Sequence, residues 1–287
     1  MEAYTGFAEV YDIFMDETPY GEWADFLSEL IEKYGISKPF REKRKKDGRE
    51  TESALEEALE TEKNLVVDLG CGTGTLTELL YDRGYDMIGI DYSEEMLQAA
   101  MAKKQQSKNG ILYLCQDMRE LDLYSTVGTV ISVCDSINYL LEDEEIEDTF
   151  QLVNNYLYPG GLFIFDFNTV YKYETVIGDT TIAENREECS FIWENYYHDK
   201  EHINEYDVTI FVKEEKGKES FRRFCETHYQ RGYTLEEMKE FIEKAGMEFV
   251  LALDADTHKA PTEESQRIYM IAREQGKAWL DKEGKRQ

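Results

Sequence analysis

Asp68, Gly70, Gly72, Gly74, Asp91 and Asp117 are the residues whose types and spacing could do chemistry in this chain. The three glycines form G-x-G-x-G in "VVDLGCGTGTLTELL", between an aliphatic run and a helical pattern. Glycine backbone in such a turn can pass close beneath a ligand, because no side chain intervenes. Two phosphate-binding loops have this look, and both fail on the letters. A dinucleotide loop needs its third glycine at position 75, which is Thr75, and a P-loop needs a closing lysine, whereas the next lysine is Lys103. Asp91 ends the second strand, where a carboxylate can accept both ribose hydroxyls of a nucleoside. Asp117, in "CQDM" at the end of the third strand, could accept a hydrogen bond from an adenine amino group. Asp68 lies inside the first strand. A buried carboxylate costs several kcal/mol unless paired, so it must meet loop hydrogen-bond donors or a cation. Three carboxylates on one sheet edge suit a nucleoside of net positive charge and suit a pyrophosphate poorly.

These residues need a parallel sheet to bring them together. "LVVDLG" reads as a strand, "TLTELLYDRG" as a helix closed by Gly84, and "DMIGID" as a second strand. Ser93 caps the next helix, with Glu94 and Glu95 at its positive end. "GILYLCQD" and "GTVISVCDS" are strands three and four. "EEIEDTFQLVNNYLYPGG" is a helix stopped by Pro159 and two glycines, and "LFIFDFN" is strand five. This alternation predicts a buried parallel sheet with helices on both faces. Residues 169–230 break it with aromatic, β-forming runs between charged turns, which predict three or four antiparallel strands. The rhythm resumes at Thr234, where "TLEE" is a capping box with Glu237, followed by a helix to Gly246 and two strands, "MEFVLALD" and "RIYMIARE".

The expected organisation is an aromatic helical lid over 1–37, a charged insertion or linker over 38–64, and an α/β core over 65–168 and 233–275. An antiparallel β insertion occupies 169–232, and a polar tail follows over 276–287. In the charged stretch Ser53 and Glu56 would form a capping box opening a short helix through Leu59. The insertion leaves from the carboxyl edge of strand five, where open α/β sheets bind ligands, so it is placed as a substrate cap.

"VVDLGCGTGTLTELL", "GIDYSEEML", "CQDM" and "LYPGGLFIFDFN" resemble, in order and spacing, the successive motifs of the class I S-adenosylmethionine-dependent methyltransferases. With "YTGFAEVYD", "CDSINYLL" and the aromatic insertion, the chain is similar to small bacterial methyltransferases of mostly unassigned substrate. The length of the charged stretch departs from that pattern. The resemblance implies a Rossmann-like seven-stranded sheet with its last strand antiparallel, and S-adenosylmethionine as cofactor. It implies that Gly70, Gly72 and Gly74, with Cys71, pass beneath the cofactor's methionine part and that Asp91 holds the ribose. Tyr92 and Met118 would flank the adenine, Asp117 with neighbouring Gln116 would bind its amino group, and Cys134 and Asp135 would line the floor near the sulfonium. Tyr4 and Tyr11 are either one packed helical face or part of the lid over the cofactor, with the lid, and so a cofactor contact, preferred. Met96 is placed in the core.

A sulfonium methyl is already activated, so aligning nucleophile, methyl and sulfur supplies much of the rate. A base is needed only where the acceptor must lose a proton. Asp135, Asn138 and Tyr139 in "CDSINY", Asp166 and Asn168 in "FDFN", and His228 are the candidates, and no one of them is singled out. Trp193, Tyr196 and Tyr197 are either packing or a cage for a substrate amine, with packing preferred.

Lys and Arg total 32 against 61 Asp and Glu, for a formal charge of -29. Nucleic-acid binders displace counterions with a basic face, so the charge disfavours DNA or RNA and favours a small-molecule acceptor. An RNA methyltransferase and a non-enzymatic S-adenosylmethionine-binding regulator remain as alternatives. The five cysteines are scattered and odd in number, suggesting neither a disulfide framework nor a zinc site. With no membrane-length apolar run and no basic, apolar leader, a cytoplasmic location is expected and no membrane partner. The sequence leaves the oligomeric state open.

Overall fold

The computed structural model describes residues 7–39, 54–214 and 220–276. It begins with a 3-10 turn at Phe7–Glu9, helix α1 (Tyr11–Phe14) and helix α2 (Tyr20–Tyr34). Helix α3 (Ala54–Asn64) leads into β1 (Leu65–Leu69), α4 (Thr75–Asp82), β2 (Asp86–Asp91), α5 (Glu94–Ser107) and β3 (Leu112–Cys115). Strand β4 (Val127–Ser132), a 3-10 turn (Ser136–Tyr139), α6 (Asp143–Tyr156) and β5 (Leu157–Asn168) follow. Strands β6 (Thr181–Asn185), β7 (Cys189–His198), β8 (Ile203–Lys213) and β9 (Phe221–Arg231) come next. The last elements are α7 (Leu235–Lys244), β10 (Met247–Asp254) and β11 (Arg267–Glu274).

Seven strands form one sheet in the order β10-β11-β5-β4-β1-β2-β3. β1 to β5 pair in parallel, and β11 runs antiparallel between β5 and β10. The expected Rossmann-like sheet with its final strand reversed is present. The chain moves outward one way through β2 and β3, then returns to the other side of β1 with β4. Ligands of open α/β sheets bind at the carboxyl ends of the strands flanking such a reversal. β6 to β9 make a separate antiparallel meander, giving four strands where three or four were expected.

Parallel strands are covered on both faces, so each face must be apolar. In β5 the two-residue period sends Phe163, Phe165 and Phe167 to one side, against Phe150 and Val153 of α6 and Met238 and Phe241 of α7. Leu162 and Ile164 go to the other side, with Leu27 and Ile31 of α2, Leu80 of α4 and Leu97 of α5. A third apolar cluster joins Val10, with Phe7 and Phe14 packed on it, to Phe191 of β7 and Tyr206, Val208 and Ile210 of β8. The N-terminal segment therefore lies on the four-stranded sheet.

Two boundaries differ from expectation. Helix α6 ends at Tyr156, and Pro159, Gly160 and Gly161 belong to β5. The register between β4 and β5 shifts there, from Val127 opposite Leu157 to Thr129 opposite Leu162. Proline, without an N–H, and Gly160 with φ of 75° fit such a bulge. Helix α3 runs past Leu59 to Asn64, and Ser53, its expected cap, lies outside the described residues.

Ser93 caps α5 by accepting from the Met96 N–H, and Thr234 with Glu237 makes the expected reciprocal box on α7. Thr234→Ala is expected to lower stability by about 1 kcal/mol, the usual loss for an N-cap. Denaturant unfolding would show this as a lower midpoint with unchanged slope.

Candidate active site

An open cavity of about 290 Å³ lies at the carboxyl ends of β1, β2 and β4, at the chain reversal. Asp68, Gly70, Cys71 and Gly72 form its floor. Asp91, Tyr92, Gln116, Asp117 and Met118 form one wall, and Cys134, Ser136 and Tyr139 another. Tyr11 and Tyr20 line it from the N-terminal segment. Met96, expected in the core, is buried and also borders the cavity. Gly74, Asp135, Asn138 and His228 are not among the lining residues. Tyr4 lies outside the described residues.

The loop's shape follows from its hydrogen bonds. The Gly70 and Cys71 N–H groups both donate to the Ile90 carbonyl, at 2.8 and 2.9 Å, folding the turn onto β2. Gly70 has φ of 81°, and a Cβ there would stand 2.5 Å from Ser136 Oγ. A Cβ on Gly72, by contrast, would meet nothing within 4 Å, so the backbone is bare where the cavity begins. Gly74, at φ of 74°, precedes the first turn of α4 and would drive a Cβ into the Tyr113 ring hydroxyl, which makes its role one of packing.

Asp91 ties the loop to the next strand. Its Oδ2 accepts from the Gly72 N–H at 2.7 Å and its Oδ1 from the Ser93 N–H at 2.9 Å. Burial nevertheless raises its pKa, because two amides only partly replace lost water. Asp68 is deeper, 2% exposed, with Oδ2 accepting from the Thr77 hydroxyl at 2.5 Å. Burial pushes its carboxyl up to about 7, against the Thr77 bond and with help from Asp91. Both carboxyls are short of positive charge, a deficiency that a bound cation would relieve.

Asp117 is different. Arg119 grips it through Nε and Nη2, at 3.1 and 2.6 Å to Oδ2, and the same guanidinium reaches Glu145. The hydrogen bond from Arg119 holds the Asp117 carboxyl below its usual range. Gln116 spends both ends of its amide on the backbone of Asp122.

The polar residues after β4 form a buried network. Cys134 and Asp135 have φ of 62° and 54°, and their N–H groups donate to the carboxylate of fully buried Asp166. Arg267 Nη2 binds Asp135 at 2.8 Å, and Gln230 binds its other oxygen at 2.7 Å. Burial raises the Cys134 thiol well above its usual pKa, so it stays a thiol. Asn138 donates to the carbonyls of Asn168 and Arg231 and accepts from the Asn168 N–H. Saturated and fully buried, it fastens β5 to the end of β9 and offers a substrate nothing. Trp193 packs on Tyr206 with centroids 4.7 Å apart and donates to Asn195. Tyr196 points to the opposite face of β7, so the three aromatics do not form a cage.

Tyr20, Thr73 and Ser136 line the cavity without having been anticipated. Asp12 of α1 explains how the N-terminal segment arrives there: it accepts from Thr73 Oγ1 at 2.7 Å and pairs with Lys103 at 2.6 Å. Among the described residues, no group of His, Cys, Asp and Glu could hold a metal ion, and no helix is long and apolar enough to cross a membrane.

The family model described as a methyltransferase domain matches residues 66–161, which hold the glycine loop, Asp91 and Asp117. A protein named as a methyltransferase in Geobacillus sp. (strain WCH70) is 34% identical over 271 residues, covering 94% of this chain and 99% of the relative. YqeM of Bacillus subtilis (strain 168), also named as a methyltransferase, is 32% identical over 94% of this chain and 96% of its own length. The crystal structure of an S-adenosylmethionine-dependent methyltransferase from Clostridium acetobutylicum ATCC 824 superposes with a TM-score of 0.74 at 26% identity, covering 96% of this chain and all of that one. Sheet order, glycine loop, carboxylate placement and near-full-length similarity agree: the chain belongs to the class I S-adenosylmethionine-dependent methyltransferases.

Proposed function

We propose that this methyltransferase acts on a small-molecule acceptor by in-line displacement, releasing S-adenosylhomocysteine. One observation carries the reading: the cofactor-side cavity of about 290 Å³ is lined by tyrosines of the N-terminal segment, which is fastened on both sides, to Thr73 and Lys103 and to the four-stranded sheet. Such a site suits a compact acceptor. The charge of -29 repels a polyanion, which counts against the RNA alternative.

The residues present fit S-adenosylmethionine. The bare backbone at Gly72 leaves room for a ligand to lie against the loop, and Asp68 and Asp91 supply negative charge where a cationic nucleoside would need it. In this reading Asp91 takes the ribose hydroxyls, and Asp68, Gly70, Cys71 and Gly72 surround the methionine part, while Gly74 shapes the turn behind them. Tyr92 and Met118 flank the adenine. Asp117 keeps Arg119 and uses a remaining lone pair for the adenine amino group, since a carboxylate offers about four acceptor sites. Gln116 shapes that wall through Asp122. Tyr11 and Tyr20 cover the acceptor end, with Cys134 beneath. The cofactor supplies a methyl group already activated on a sulfonium; the chain's task is to exclude water and align the acceptor.

Titration calorimetry with S-adenosylmethionine and S-adenosylhomocysteine should give saturable heats with both. A panel of small amines and hydroxyl compounds should then yield S-adenosylhomocysteine, whereas tRNA should not. Turnover only with tRNA would move the acceptor to RNA, and binding without transfer to any acceptor would favour a regulator.

A further inference from the structure

The insertion carries a polar chain that the cofactor site does not use. On β9, Glu226, His228 and Gln230 alternate on the buried face, an expensive place for a carboxylate, an imidazole and an amide. Glu226 and His228 are 3% and 2% exposed. His228 Nε2 lies 3.4 Å from Glu226 Oε2. His228 Nδ1 is 3.1 Å from the hydroxyl of Tyr139, which lines the cavity. The Tyr139 hydroxyl is also 2.8 Å from that of Tyr206, whose ring stacks on His228 with centroids 4.9 Å apart. At the far end, Glu226 Oε1 accepts the backbone N–H of Phe7 at 3.0 Å. Phe7 in turn packs edge-on against Tyr11, a cavity-lining residue of the N-terminal segment.

We propose that Tyr139, His228 and Glu226 form a proton relay that takes a proton from the methyl acceptor, and that the N-terminal segment completes it by binding Glu226. The proposal rests on the small-molecule methyltransferase reading above and assigns the proton-accepting group within it.

The chain's polarity follows from its charges. The Glu226 carboxylate, at ion-pair distance from Nε2 and outside hydrogen-bond geometry, favours the tautomer with the proton on Nε2, since the other would turn a lone pair toward a negative group. Nδ1 is then an acceptor, so Tyr139 donates to it. Burial holds the Tyr206 hydroxyl well above its usual pKa, so it remains protonated and donates to Tyr139. Among the described residues, Asp135 and Tyr173 also act on this cluster, through Tyr206. Asp135 is itself matched by Arg267 and Gln230.

In the transfer, the acceptor's proton passes to Tyr139 Oη as Tyr139's own proton passes to His228 Nδ1. The acceptor's lone pair forms the new bond to the methyl carbon, and the electron pair of the broken carbon–sulfur bond stays on sulfur. The imidazolium left behind is balanced by Glu226. When product leaves, the proton returns through Tyr139 to the opened cavity. Tyr139 is thus the catalytic residue, while His228 and Glu226 act through it. The Phe7 contact makes the relay complete only when the segment that also carries Tyr11 is seated.

Nitrogen-15 spectra of the full chain labelled at histidine test this without cofactor or acceptor, so their failure is separable from failure of the methyltransferase reading. His228 should show a protonated Nε2 and a hydrogen-bonded, unprotonated Nδ1. In Tyr139→Phe the Nδ1 resonance should shift, reporting loss of the Tyr139 donor. In Glu226→Gln, whose single oxygen can serve Nε2 or the Phe7 N–H but not both, either the single tautomer should be lost or exchange of the Phe7 amide should quicken. A protonated Nδ1 in the wild type, or an unmoved Nδ1 in Tyr139→Phe, overturns the relay. An unchanged tautomer and unchanged Phe7 exchange in Glu226→Gln overturn the part of Glu226. With an acceptor that must lose a proton, Tyr139→Phe should cut kcat about 100-fold, the low end for general-base catalysis, with cofactor affinity intact. Undiminished kcat refutes the relay equally.

Discussion

Asp91→Ala should weaken S-adenosylmethionine binding about 100-fold. The carboxylate stands at the end of β2 on the cavity wall, and its two oxygens are already oriented by the Gly72 and Ser93 N–H groups. That arrangement leaves each oxygen a further lone pair for a ribose hydroxyl. Hydrogen bonds to a charged group contribute about 1.5–3 kcal/mol each, so losing a bidentate pair costs about 3 kcal/mol, which is ~100-fold in affinity. The same substitution strips an acceptor from two loop amides, so some loss of stability is expected as well. Calorimetry at a temperature well below unfolding separates the two effects. Asp91→Asn, which keeps the shape and one acceptor oxygen, should fall between wild type and alanine. A loss under about fivefold in Asp91→Ala would remove Asp91 from the ribose site.

Asp91 was legible in the sequence because its place is set by local rules: a strand of aliphatics, a capped helix after it, and a carboxylate between. The same rules give Asp68, the glycine turn and Asp117. They do not give Tyr20 or Ser136, which reach the cavity through tertiary packing. Nothing near Tyr20 says that Asp12, eight residues earlier, will be drawn to Thr73 and Lys103. Asn138 looked like a residue for chemistry, yet its amide matches three backbone groups that would otherwise be buried unpaired. Pro159, Gly160 and Gly161 carry the signature of a helix stop, and the bulge at the start of β5 uses the same residues for a different end. For Trp193, Tyr196 and Tyr197 the preference for packing over a cage follows from the strand itself, whose two-residue period separates the first two. The Glu226, His228, Gln230 alternation was equally visible, and only the burial of that face gives it meaning.

Cofactor affinity should rise as pH is raised from 5 to 7, and Asp68→Asn should flatten that rise. Asp68 has a folded-state pKa of about 7 against an unfolded value of 3.8, because burial penalises its charge. The folded chain therefore binds this proton more tightly than the unfolded chain. Its stabilising effect is complete below pH 4 and is lost as pH rises toward 7, costing the apo protein about 4 kcal/mol by linkage from the two pKa values. A cationic ligand reverses the balance. It favours the carboxylate, so binding must expel the proton wherever the free protein still holds it. The α-amino group of a ligand loses its charge only near pH 8, above this window, and does not confuse the reading. Calorimetry at pH 6 in two buffers of different ionisation enthalpy should register net proton release on binding, a signal absent from Asp68→Asn. That variant keeps an oxygen for the Thr77 hydroxyl but carries no charge, so its apo form should melt above wild type at pH 8 and bind the cofactor more weakly. Proton uptake on binding, or a wild-type affinity flat from pH 5 to 7, would show that Asp68 does not face the positive part of the ligand.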